Sequence, residues 1–289
     1  MEEKNKINPS TLYLVGTPIG NLADISERAK KVLSEVDFVA AEDTRNSAKL
    51  LSCYGIKKEL VSYHEHNKHE AGARIVSRLL SGESCALVTD AGMPAISDPG
   101  EDLVRLCAGA GVIVSVIPGA CAAVSALALS GLCTAKFVFE GFLSANKGER
   151  RKRLEELKDE RRTLIFYEAP HKLKSTLIDL GATYGDGRRI TLCRELTKLN
   201  EEIIRTTISG AIAEYAEKEP RGEYVLILEG ADEAGVKATS VNSFSDMTVT
   251  EHVEYYISEG LGRMDAIKKV ARDRGVPKSE IYNEVSKHD

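Results

Sequence analysis

Residues 85–100 read CALVTDAGMPAISDPG, a short apolar run followed by a loop that holds two aspartates, two glycines and two prolines. An apolar run with no polar alternation, CALVTD (85–90), predicts a strand buried on both faces of a parallel sheet. Prolines narrow the freedom of the unfolded loop and hold it in shape. A long, stiff loop at the carboxyl end of a strand is suited to clamp a ligand. Asp98-Pro99-Gly100 also suits a helix start, with proline in the first turn.

The same alternation extends outward from this stretch. TLYLVGT (11–17), DFVAAED (37–43), ELVSYHE (59–65) and VIVSVIP (112–118) are further strand patterns. Between them lie the helical patterns Ser26–Val36, Asn46–Tyr54, Glu70–Leu80 and Glu101–Ala108. Strands alternating with helices predict parallel βαβ units, here an N-terminal α/β domain over 11–118. The stretches 137–143, 163–169, 189–196 and 222–230 predict a second α/β domain, 119–230, with mixed strand directions. ADEAGVKATSVNSFSDM (231–247) is small, polar and aperiodic and reads as a linker. Residues 248–289 carry three helical patterns: one capped by Thr250 and running to Ser258, Met264–Arg274 closed by Gly275, and one started by Pro277. They suggest a helix-turn-helix-like module, although acidic residues outnumber basic ones there, which favours packing or interaction over DNA binding.

Composition narrows the classes. Hydrophobic residues at 43% and charged residues at 29% supply ample core material and exclude a mainly disordered chain. A net charge of −5 excludes nucleic-acid binding by bulk charge, so any such contact needs a local patch. The six cysteines show no C-x-x-C spacing and the N-terminus has no apolar leader, so neither zinc nor a disulfide framework is expected and the cytoplasm is. Leu106–Ala135 lacks charge over more than the ~20 residues of a membrane span. Gly109, Gly111, Pro118, Gly119 and Gly131 break it, and a buried strand feeding a buried small-residue helix accounts for it better.

Four further groups have chemical potential. Gly16-Thr-Pro-Ile-Gly20 is a strand-to-helix turn that admits a ligand to the backbone, or simply a tight turn; it matches no nucleotide fingerprint. Glu42, Asp43 and Arg45 follow a strand end, where they can orient a polar substrate or take a proton, unless Asp43 only caps a helix. His64, His66 and His69 suit substrate contact or a solvated loop better than a metal, and no metal is expected. SANKGERRKR (144–153) sets Lys147, Arg150, Arg151, Lys152 and Arg153 against Glu149 alone. Such crowding predicts contact with RNA phosphates, or else a solvated helix face.

GTPIGNLADISERA, AEDTR, TDAGMPAISDPG, VIPGA, FEGFL, YEAPHKL, CRELTK and GEYVLILEG occur in this order. Together, over 11–230, they resemble the ribosomal RNA small subunit methyltransferase I family of the tetrapyrrole methylase fold group. The resemblance implies two α/β domains with S-adenosyl-L-methionine in the cleft between them, a homodimer, and 2′-O-methylation of cytidine-1402 in 16S ribosomal RNA. It places the cofactor against Ile19, Asp90, Ala91, Gly92, Met93, Gly119, Cys121, Ala122 and Tyr167. Arg45 after its strand end, His64 in the histidine cluster and the basic strip by its local charge are the expected RNA contacts. The family usually reads Pro-Gly-Pro-Ser where this chain has Pro118-Gly119-Ala120-Cys121, which keeps backbone contacts and removes a serine hydroxyl. A sulfonium methyl is already activated, so alignment is the main task; a ribose hydroxyl also profits from a base, for which Glu42, Asp43 and Glu195 are candidates. A tetrapyrrole methylase and a non-catalytic ribosome-binding protein are the rival readings.

Overall fold

Short apolar runs become inner strands because helices cover both faces of the sheet they form. The computed structural model describes residues 6–231, 247–258 and 260–286. Its first sheet contains β1 (Thr11–Val15), β2 (Phe38–Ala41), β3 (Glu59–Ser62), β4 (Cys85–Val88) and β5 (Ile113–Ile117), all parallel, in the order β3-β2-β4-β1-β5. Alternate residues feed two cores: Leu12, Phe38 and Leu87 face one side with Ile75 and Leu103, and Tyr13, Val39 and Ala86 face the other with Val32 and Leu33. The crossover helices are α1 (Glu27–Glu35), α2 (Thr44–Cys53), α3 (Lys68–Leu80) and α4 (Gly100–Gly109). Parallel strands deliver the loops after β1, β2, β4 and β5 to one edge of the sheet, the place where open α/β sheets bind ligands.

The second sheet has the order β6-β7-β10-β8-β9. It contains β6 (Phe137–Phe142), β7 (Thr163–Glu168), β8 (Arg189–Arg194), β9 (Glu202–Thr207) and β10 (Tyr224–Leu228). Only β6 and β7 run parallel; the other neighbours are antiparallel. Helix α5 (Ala122–Ser130) lays Ala123, Ala126 and Leu127 on Ile165, Cys193 and Ile227, its small residues allowing close approach. The remaining helices here are α6 (Lys147–Glu156), α7 (Pro170–Tyr184) and α8 (Ile208–Glu217).

Three expectations change. Strand β9 was not anticipated, because EIIRTT runs straight into the helical pattern of α8. β5 is an edge strand rather than a buried one, with Ile113 63% and Val116 47% exposed. In α5, Val124 and Leu129 likewise face outward. No described helix is long and apolar enough to cross a membrane.

Both sheets belong to one compact unit, the described residues of 1–156 and 162–229; a second unit takes the described residues of 157–161 and 230–289. The linker expected at 231–247 lies, apart from its two end residues, outside the described residues. In the second unit, α9 (Val249–Ser258), α10 (Arg263–Arg274) and α11 (Lys278–Val285) pack Val253, Ile267, Val270 and Ile281 into a core of their own. Its first helix is capped by Thr248, not Thr250. The Thr248 hydroxyl accepts from the Glu251 amide at 3.3 Å, and the Glu251 carboxylate accepts from the Thr248 amide at 2.8 Å. That is a reciprocal capping box. Gly275, at φ +67°, ends α10 in the left-handed conformation.

His252 is fully buried in this core. Burial, and then the nearby Arg274, hold its pKa below the ordinary 6.5. Above pH 6.5 the imidazole is neutral whether the module is folded or not, and its contribution is complete. Below that value the unfolded chain takes up a proton that the folded module resists, so stability falls with pH. Amide exchange in α9–α11, corrected for intrinsic rates, is expected to show protection falling between pH 7 and 5. His252→Gln should flatten the dependence.

Candidate active site

Two loops at the edge of the first sheet are locked by backbone. After β1, Thr17 and Gly92 pair as an isolated antiparallel bridge: the Thr17 amide donates to Gly92 O at 2.9 Å and the Gly92 amide to Thr17 O at 3.2 Å. Beside it, Gly16 and Gly119 approach so closely that a Cβ on Gly16 would lie 2.7 Å from Gly119 Cα and from Met93 Sδ. Only glycine fits both positions. Further along the loop, Asp98 Oδ1 accepts from the Ala95 amide at 3.0 Å and the Gly100 amide at 2.7 Å. Ala95 and Ser97 adopt φ values of +66° and +64°, which non-glycine residues rarely do.

These loops wall a cavity of about 490 Å³, within the first unit and between its two sheets. Asp90, Ala91, Gly92 and Met93 line it, together with Ile19 from the first turn. Cys121 and Ala122 at the start of α5 and Tyr167 at the end of β7 complete that wall. Gly119 is not among the lining residues; its backbone packs against Gly16. The volume suits a nucleoside-sized molecule, and Ile19, Ala122, Leu196 and Val225 give an apolar surface beside a few polar groups. Burial pushes the Tyr167 phenol up to about 12, so it stays a neutral wall residue. These residues fit S-adenosylmethionine.

The three carboxylate candidates separate by environment. Glu42 lines the cavity and its Oε2 accepts from the Thr89 hydroxyl at 3.0 Å. Asp43, next along, is outside the cavity lining and caps α2. It accepts from the Arg45 amide at 2.8 Å and from the Arg45 guanidinium at 2.8 and 3.1 Å. These bonds hold its carboxyl well below the usual carboxylate range. Asp43 is therefore no proton acceptor near neutrality, and Arg45 is engaged with it. Glu195 reaches the cavity from a left-handed residue, φ +52°, made possible by Gly222 opposite, whose missing Cβ leaves room for the Glu195 side chain. Burial alone would raise the Glu195 carboxyl, but Lys198 at 2.8 Å and the Glu223 amide at 2.9 Å outweigh it and keep it below its ordinary value.

The remaining candidates lie off the cavity lining. His64 follows β3, its amide donating to Asn67 Oδ1 at 2.8 Å and its Nδ1 buried without a hydrogen-bond partner. In the basic strip the expected repulsion is already relieved by protein carboxylates. Arg150 is 5% exposed, with its Nε donating to Asp179 Oδ2 at 2.9 Å. It leaves the set of RNA contacts because its guanidinium is spent inside the fold. Arg151 also bonds Asp179, and Arg153 bonds Glu140 and Glu156, but both are about half exposed. Lys147 and Lys152 are exposed. No group of described histidine, cysteine or acidic residues is placed to hold a metal ion. Sequence reasoning overlooked Lys198, Phe142 and Ile96 in the cavity wall. The motifs FEGFL, CRELTK and TDAGMPAISDPG contained them, but nothing in a linear pattern distinguishes a wall residue from its neighbours.

Comparison with known proteins follows the same lines. The family model described as tetrapyrrole (corrin/porphyrin) methylases matches residues 11–212. Ribosomal RNA small subunit methyltransferase I from Halalkalibacterium halodurans is 51% identical over 273 residues, 94% of this chain and 93% of that one. The Bacillus subtilis protein of the same name is 48% identical over 98% of this chain and 96% of its own. Among solved structures, the cobalamin-biosynthetic cobalt precorrin-4 methyltransferase superposes with a TM-score of 0.57 at 17% identity, over 76% of this chain and 95% of that one. A uroporphyrin-III-C-methyltransferase from Thermus thermophilus gives 0.54 at 20% identity, over 76% and 94%. At such identities the structures show the fold alone.

The burial of Arg150 has a measurable cost. Arg150→Gln strands Asp179, whose side chain is 2% exposed, with Arg151 alone and is expected to lower unfolding free energy by about 3 kcal/mol. Arg151→Gln, which removes a half-exposed partner and leaves Arg150 on Asp179, should cost under about 1 kcal/mol in the same denaturant titration.

Proposed function

The chain belongs to the tetrapyrrole methylases and, within them, to the ribosomal RNA small subunit methyltransferase I family, and from that membership we propose that it transfers a methyl group from S-adenosylmethionine to the 2′-hydroxyl of cytidine-1402 in 16S ribosomal RNA. The observation that carries the reading is the convergence of Asp90–Met93, Cys121–Ala122 and Tyr167 with Glu42 on one cavity. When bound, S-adenosylmethionine supplies an activated methyl on a sulfonium. The apolar wall of Ile19, Met93, Ala122 and Tyr167 would hold its nucleoside, and Asp90, exposed at the loop's start, would accept its hydroxyl or ammonium hydrogens. Glu42 is placed to take the proton of the ribose hydroxyl while the methyl passes to that oxygen from sulfur, which keeps the S–C bonding pair as a neutral thioether. It is the carboxylate of the three with no ion pair to hold it. Glu195 positions: with Lys198 it braces the loop that contacts Gly20.

The RNA lies across Lys147, Arg151 and Arg153, which are exposed enough to meet phosphates, and reaches toward Arg45 and His64 at the first sheet's edge. We assign 11–118 and 119–230 as the two α/β domains, 231–247 as the linker and 248–289 as the helical module. The protein acts in the cytoplasm as a homodimer, for which the exposed apolar side chains Ile113, Val116, Val124 and Leu129 are available.

Purified protein with labelled cofactor and small ribosomal subunits lacking the modification is the direct assay. Label on a porphyrinoid and none on the RNA would overturn the reading. Asp90 has one described hydrogen bond, from Asn46 at 3.3 Å, so Asp90→Ala should leave the melting temperature nearly unchanged. Its cofactor affinity should fall roughly 10-fold or more by calorimetry. Glu42→Gln is expected to lower kcat by roughly 10²–10⁴ with cofactor affinity retained; an unaltered kcat removes Glu42 as the base.

A further inference from the structure

Large apolar side chains in a cavity wall are normally tucked in, yet Ile96 and Phe142 are 51% and 59% exposed. They are the two exposed large hydrophobics among the described lining residues. Each is held out by a costly backbone. Ile96 sits between Ala95 and Ser97, both left-handed. Phe142 follows a bulge in the pairing of β6 with β7, between Phe139 and Gly141, where Gly141 is also left-handed at φ +64°. Bulges re-aim side chains, and strain of this kind persists where the surroundings impose it. The two devices meet: a Cβ on Gly141 would lie 3.0 Å from the Ser97 hydroxyl, so the loop tip rests on the bulge.

The Phe142 ring has neighbours on part of its surface only. Tyr167 meets it edge-on, ring centroids 5.4 Å apart, and Lys172 Nζ stands 5.7 Å from its centroid. Tyr167 lies one strand inward and is half-buried, whereas Phe142 is on the edge strand and open. That ammonium is itself paired with Glu168 at 3.4 Å, so what the mouth offers a ligand is an open aromatic face and an aliphatic side chain, which together suit a planar ring. We propose that Phe142 and Ile96 form a clamp that takes the nucleobase of the target nucleotide, holding it out of the RNA stack while its ribose enters the cavity. The clamp rests on the RNA-methylating reading above. Single-stranded and looped RNA is recognised by stacking its splayed bases on aromatic side chains, and here the ring is positioned for one base.

The test compares wild type with Phe142→Ala, Phe142→Tyr and Ile96→Ala on small ribosomal subunits lacking the modification. Initial rates are measured across subunit concentrations at saturating cofactor, and cofactor affinity by calorimetry. Phe142→Ala should lower kcat/KM for the subunits roughly 5- to 150-fold, the loss expected of one base stack. Phe142→Tyr should restore most of it, Ile96→Ala should cost less, and cofactor affinity should stay within twofold in all three. An unchanged kcat/KM in Phe142→Ala overturns the clamp while leaving the methyltransferase reading intact. A fall in kcat/KM matched by an equal fall in cofactor affinity also overturns it, assigning the ring to the cofactor. Absence of transfer by the wild-type protein overturns both readings.

Discussion

The paired backbone bridge between Thr17 and Gly92 is the constraint on which the candidate active site depends. Both hydrogen bonds are made by main chain, so no side chain can be exchanged to adjust them. Thr17 is buried, and its amide and carbonyl would be left unpaired if the loop moved away. The bridge fixes the start of the 89–100 loop relative to the turn after β1. Gly16 and Gly119 then bring the turn after β5 against the same point. Ile19, Met93 and Cys121, separated by about a hundred residues in the chain, owe their common wall to those contacts.

Around that frame the chain uses adjacent carboxylates for opposite ends. Glu42 and Asp43 are neighbours, yet one faces the cavity and the other is consumed by a helix cap and a guanidinium. A residue's chemistry here follows from which hydrogen bonds it already satisfies, more than from its type. Arg150 shows the same rule among the cations. It is the most buried of its run and serves Asp179, while its neighbours keep part of their surface in water.

Much of the fold was legible because it is written in local pattern. The helices of the first half fall within two residues of their expected ends, since each has an apolar face and a clear stop. The membership of one cavity wall was legible through motif order, and Asp90–Met93 and Tyr167 do meet in space. What escaped was decided by tertiary placement. A run such as VIVSVI looks the same whether its strand is central or at an edge, and only the strand order separates the two. Nor does a cluster of cations reveal that Asp179, the counterion shared by Arg150 and Arg151, lies 29 and 28 residues downstream of them, on another helix.

The order of the second sheet has a consequence for how the molecule assembles. Its central strand, β10, is the last in sequence and inserts between β7 and β8. Until it arrives, those two strands face a gap, each with a row of unpaired amides and carbonyls. Because domains form progressively as a chain emerges from its amino end, the first sheet has all its strands long before the second can close. The 89–100 loop and the turn after β1 therefore take their places early, against nothing on the far side. The last part of the wall, Tyr224 and Val225, arrives with the strand that seals the sheet. Closure of the second sheet and completion of the cavity wall are thus a single late event.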